Sequence, residues 1–94
     1  MNDDLLRSVI ARNGSVIQMI VAMEEMSELT KELSKSIRGF ENRDEIIEEV
    51  ADVYIMLKQI EIIHSISLEE LFARIMKKTE RLKERLEGKQ DESV

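Results

Sequence analysis

Ninety-four residues make one domain, near the lower end of the size at which a single chain buries a sizeable core by itself, so help from a second subunit is expected. The absence of Pro, the three Gly, the low aromatic content and the 36% of charged residues point to an all-α protein with short connections, and the absence of Cys excludes disulfides and thiolate chemistry. A net charge of −6 repels a polyanion, which argues against polymeric nucleic acid as a partner but not against a small anion carried in by a metal.

The chain starts "MNDDLLRSVI", acidic where a signal peptide would be basic, and no apolar run is long enough to cross a bilayer. The expected location is therefore the cytoplasm, with no membrane partner. Asn2 or Asp3 is placed to cap a short first helix carrying Leu5, Leu6, Val9 and Ile10, which Asn13 and Gly14 stop. Three times thereafter a small polar residue is followed three positions later by Glu or Gln, the pattern of a capping box. Ser15 with Gln18 opens a helix that Gly39 ends. Asn42 with Glu45 opens another, which runs to about His64, and Ser67 with Glu70 opens a last one that fades near Gly88. Short turns, "GFEN" and "SIS", join them, and no linker divides the chain. The expectation is a single domain over 1–88, an antiparallel helical bundle of three long helices plus a short N-terminal one, followed by a disordered tail "KQDESV" over 89–94.

The second helix carries an unusual row. At about 100° per residue, Glu25, Glu28 and Glu32 line up beside an apolar arc of Met19, Ala22, Met26, Leu29, Leu33 and Ile37. On the third helix Glu49 and Asp52 form a row continued by Met56 and Ile63. Asp52 stands within Val50, Ala51, Val53, Tyr54, Ile55, Met56 and Leu57, which predicts an acid with little access to water. An ionised carboxylate in such surroundings is desolvated at a cost of several kcal/mol, shifts its pKa upward, or has a cation beside it. Few basic residues share these rows, so a metal is the economical cation. Carboxylates converging from two antiparallel helices offer hard oxygen ligands that suit Mg²⁺, with Mn²⁺ as a substitute. A single E-x-x-E in so charged a helix would mean nothing, because Glu is a strong helix former; the doubling and the apolar setting of Asp52 give it weight.

"EEMSE" at Glu24 to Glu28 followed by "EEVAD" at Glu48 to Asp52 resembles the E-E-x-x-E and E-E-x-x-D signature of the MazG-like all-α nucleoside triphosphate pyrophosphohydrolases, above all their short phage and bacterial members. The resemblance runs from about Gln18 to Leu86 and takes in "ADVYIML" and "ERLKERL". It implies a Mg²⁺-dependent enzyme that cleaves a nucleoside or deoxynucleoside triphosphate between its α and β phosphates, giving the monophosphate and pyrophosphate. It also implies Glu25, Glu28, Glu49 and Asp52 as metal ligands. Glu24 and Glu48 point about 100° away from their neighbours and are read as facing solvent or supporting the ligands. Glu25 or Glu28, if not fully used by metal, is the candidate to accept the proton of the attacking water.

Lys35 and Arg38 lie near the end of the second helix, where they could meet the outer phosphates. The stretch "KKTERLKERLEGK" reads as a solvated face with i to i+4 ion pairs, from which Lys78 and Arg81 are excepted because the similar family tends to keep basic residues there. Many relatives have an Asn after the lysine where this chain has Lys78 or Thr79. "EIIH", ending at the only histidine, His64, spells the E-x-x-H of di-iron bundles, but it lies roughly 18 Å along the helix from the Glu49–Asp52 pair. His64 is better read as stabilising a helix C-terminus.

Two further functions compete with hydrolysis: an acidic helical module that binds a partner protein, and a non-catalytic relative that keeps the metal. The third helix bears on assembly. Between Val50 and Ile63 apolar residues point in nearly every direction, so it needs cover all round, and the last helix with Leu68, Leu71, Phe72, Ile75, Leu82 and Leu86 covers only part of it. A homodimer or homotetramer is expected, with Lys78 or Arg81 of one copy near the acids of another.

Overall fold

The computed structural model describes residues 1–88, so the expected tail over 89–94 lies outside the described residues. They form four helices, α1 Asp3–Asn13, α2 Ser15–Ile37, α3 Arg43–Ile63 and α4 Leu68–Leu86, and no strand among the described residues. This is the all-α architecture read from the sequence, with one short and three long helices.

The ends of the helices have local causes. Asn2 Oδ1 accepts from the Leu5 N–H at 3.1 Å and starts α1. Gly14, at φ 94°, donates its N–H to Ile10 O at 2.8 Å and accepts from Gln18 N at 3.1 Å, so one residue ends α1 and starts α2 in a backbone conformation that costs glycine little. At the end of α2 Phe40 N bonds Lys35 O and Gly39 N bonds Ser36 O, the paired bonds of a Schellman motif. The same pair closes α3, from Ile66 N to Glu61 O and from Ser65 N to Ile62 O. There Ser65 takes the left-handed position, at φ 54°.

Of the three expected capping boxes only Ser67 with Glu70 forms, at 3.1 and 3.0 Å. Ser15 is already helical, Gly14 takes the cap, and Gln18 turns inward instead. Asn42 caps α3 by its backbone alone, because its side-chain amide donates to Glu32 O at 2.9 Å and to Glu32 Oε1 at 2.8 Å. In both exceptions the side chain bonds a buried partner across the α2–α3 interface and not a local backbone N–H.

These contacts also fix the pairing of α2 with α3. Gln18 meets Gln59 near one end and Glu32 meets Asn42 near the other, so the helices run antiparallel. The buried apolar side chains, Leu6, Ala22 and Met56, come one each from α1, α2 and α3. Beside them runs a chain of amides: Asn13 Nδ2 donates to Gln18 Oε1 at 3.0 Å, Gln18 Nε2 to Gln59 Oε1 at 2.7 Å, and Gln59 Nε2 to the Met56 sulfur at 3.6 Å. Buried polar groups of this kind specify a register, since a slip would leave each of them unpaired.

The last helix stands apart. No Cα of α4 approaches within 8 Å of a Cα in α1, α2 or α3. The expectation that α4 covers one side of α3 is therefore not met within the chain. Leu68, Phe72, Ile75, Leu82 and Leu86 of α4 are exposed, as are Tyr54, Ile55 and Leu57 of α3. Two amphipathic faces are thus left without cover in a single copy.

Candidate metal centre

Antiparallel pairing in this register sets Glu25 of α2 opposite Asp52 of α3, with Glu49 one turn earlier on α3. Each of Glu25, Glu49 and Asp52 offers a carboxylate oxygen, and these three oxygens lie within 4.8 Å of one another. It is the one such cluster of His, Cys, Asp or Glu among the described residues. The E-x-x-E and E-x-x-D spacings do this because residues three apart on a helix share a face.

The electrostatics are those of like charges held close together. The carboxyl of Glu25 is raised above its ordinary range, first by a hydrogen bond shared with Asp52, then by burial and by the charges of Asp52, Glu49 and Glu28. Glu49 is raised too, chiefly by burial and then by Asp52, Glu28, Glu32 and Glu48. Glu49 Oε2 is buried with no hydrogen-bond partner. An orphaned carboxylate oxygen facing two other acids is what a hard divalent cation satisfies, so the residues fit a metal.

Two expectations are modified. Glu28 is exposed and outside the converging trio, although its charge reaches both Glu25 and Glu49. Asp52 is exposed rather than cut off from water, because Ala51, Tyr54 and Ile55 around it are exposed as well. The apolar neighbourhood read from the sequence is real, but nothing among the described residues closes over it. A cavity of about 220 Å³ lined by Val21, Glu25, Asp52, Ile55 and Met56 lies directly against the acids.

The basic candidates are spread out. Lys35 pairs with Glu32 at 3.5 Å. Arg38 lies over the ring of Phe40, its guanidinium carbon 5.3 Å from the centroid. Lys78 and Arg81 are half-buried on α4, which the chain does not bring to α2 or α3. His64 is the C-cap of α3, and Glu61 faces Lys58 at 3.5 Å, so "EIIH" builds no metal cluster.

Sequence reasoning passed over Asn42. Glu32 shares the row of Glu25 yet is drawn away from the cluster by Asn42 and Lys35, and its carboxyl is lowered, first by the hydrogen bond from Asn42. The signal was an Asn at a helix start, which reads equally well as an ordinary cap.

Residues 15–86 match the MazG nucleotide pyrophosphohydrolase domain. The chain belongs to that family. The match begins with the first residue of α2 and ends with the last of α4, so it contains the acidic trio and leaves α1 outside the MazG domain. MazG proteins generally use a divalent metal, and Glu25, Glu49 and Asp52 are where this one can hold it. No curated protein and no solved structure matches the chain. No helix among the described residues is long and apolar enough to cross a membrane.

Proposed function

We propose that this MazG-family protein is a Mg²⁺-dependent nucleoside triphosphate pyrophosphohydrolase, with Mn²⁺ as a substitute, acting on a ribo- or deoxyribonucleotide. The observation that carries the reading is the convergence of Glu25, Glu49 and Asp52, with the buried and unpartnered Oε2 of Glu49 among them. These three residues would hold the metal. When bound, it supplies charge neutralisation on the triphosphate and a more acidic water.

The chain's own groups do the rest. Glu28, exposed beside the trio, accepts a proton from the attacking water. The water oxygen bonds to the α phosphorus, the bond from that phosphorus to the bridging oxygen breaks, and pyrophosphate leaves with the electron pair. Lys78 and Arg81 of a second copy face the outer phosphates, while Lys35 of the same copy is held by Glu32 and Arg38 lies on Phe40. The second copy is invoked because α4 presents an uncovered apolar stripe and α3 has uncovered apolar residues next to Asp52. Pairing the two would cover both and close the site, as a homodimer or a dimer of dimers.

The reading of an acidic interaction module is favoured by the same exposed stripe, but it gives Glu49 Oε2 nothing to do. Incubation with a panel of nucleoside triphosphates in Mg²⁺ separates the two. Release of pyrophosphate from at least one of them is expected. Stable binding of metal with no turnover of any nucleotide would leave the non-catalytic relative standing.

A further inference from the structure

A second cavity, of about 370 Å³, opens where α2 passes to α3, with Ser36, Phe40, Asn42 and Ile46 in its lining. It is placed in line with the acids. Ser36 follows Glu25 by eleven residues and so shares its row on α2 to within about 20°, and Ile46 precedes Glu49 by three on α3, about 4.5 Å of helix rise.

Asn42 gives this cavity a defined polar edge. The residue is only 7% exposed, and both bonds of its amide nitrogen go to acceptors, Glu32 O and Glu32 Oε1. Turning the amide over would set Oδ1 against two oxygens, so its orientation is fixed. Asn42 Oδ1 itself has no hydrogen-bond donor, since the side chain does not cap α3. The cavity therefore presents a locked acceptor and no amide donor from this residue. Its apolar wall is Phe40, 56% exposed, whose ring is already stacked by the Arg38 guanidinium.

We propose that this cavity is the nucleobase subsite: the base lies on Phe40 and an N–H of its edge donates to Asn42 Oδ1. The inference rests on the pyrophosphohydrolase reading and adds a place for the part of the substrate that the acids do not hold. An aromatic face beside an oriented acceptor, with Glu41 and Arg43 also in the lining, suits a flat heterocycle with N–H donors. Asn42 stands seven residues before Glu49, roughly 10 Å along α3, a separation that a sugar and its phosphate span. Glu32 acts here as a positioning residue, because it holds the amide that reads the base.

The test uses binding and not turnover. With full-length protein in Mg²⁺, nucleoside 5′-monophosphates and the base-free ribose 5-phosphate are titrated while the Asn42 side-chain amide and the Phe40 ring are followed by NMR. At least one nucleotide is expected to move both sets of resonances, and ribose 5-phosphate neither. Phe40→Ala, at an exposed position where the fold tolerates it, should weaken that nucleotide about tenfold, the scale of one base–aromatic stack. Equal shifts with ribose 5-phosphate, or unchanged affinity in Phe40→Ala, would overturn the subsite. Base-dependent shifts in a protein that hydrolyses no triphosphate would keep the subsite and remove the activity. Pyrophosphate release without those shifts would do the reverse, and silence in both assays would remove both.

Discussion

Glu49→Gln separates the two things the acidic trio does. In the metal-free protein Glu49 is half-buried among like charges and its Oε2 lacks a partner, so a neutral amide of the same shape relieves repulsion. The metal-free variant should melt no lower than the parent. In Mg²⁺ the order reverses. A metal present at about 100 times its dissociation constant stabilises the native state by about 2.7 kcal/mol, and at about 4–8 °C per kcal/mol for a domain of this size the parent should gain roughly 10–20 °C. The variant keeps two of the three converging carboxylates and should gain only a small part of that. Thermal melts by circular dichroism in chelator and in Mg²⁺, on both proteins, read all four values. Equal gains would take Glu49 off the ligand set, and a metal-free variant that melts well below the parent would mean that its carboxylate has a stabilising partner after all.

The Gln18–Gln59 bond should behave as a coupled pair. Gln59→Leu leaves Nε2 of the 4%-exposed Gln18 without an acceptor and should cost about 1–3 kcal/mol, while Gln18→Leu with Gln59→Leu recovers most of it; a double variant as unstable as the sum of the singles would refute the coupling. The pH dependence of the metal-free protein should carry two opposite signs. Glu25 and Glu49, raised in the folded state, bind protons more tightly when folded, so their contribution is fully present below 4.5 and is lost as pH rises through their elevated values. Glu32 and Glu70, lowered, contribute above 4.5 and lose it as pH falls. Melts in chelator should accordingly show Glu25→Gln gaining on the parent as pH rises from 4.5, and the advantage of the parent over Glu32→Gln vanishing towards acid. Phe72→Glu places a charge in the exposed stripe of α4 and should convert the proposed dimer or tetramer to a species near 11.0 kDa in sedimentation; a parent that is already a stable, active monomer would show that the stripe needs no cover.

What the sequence made legible follows from local physics. Helix ends set by a glycine or a nearby oxygen, at Asn2, Gly14, Gly39 and Ser67, could be read directly, since the partner is only a few residues away. Asn42 and Gln18 could not. Both have the spacing of a cap, and the residue that claims each side chain lies across the helix pair, ten positions away for Asn42 and forty-one for Gln18. The trio was legible because a repeat of three on two antiparallel helices aligns faces whatever the rest of the fold does. The exposure of Asp52 was not, because an apolar run fixes that a helix needs cover and does not say which chain provides it. For the same reason α4 was recognisable as amphipathic while its position was not.

The most direct measurement is hydrolysis in ¹⁸O-labelled water with Mg²⁺, with the label located in the products by mass spectrometry. Attack at the α phosphorus by a water placed at Glu25, Glu49 and Asp52 puts the heavy oxygen in the nucleoside monophosphate and leaves the pyrophosphate unlabelled. Label in the pyrophosphate, or release of orthophosphate with a nucleoside diphosphate, would place the chemistry at another phosphorus and contradict the account.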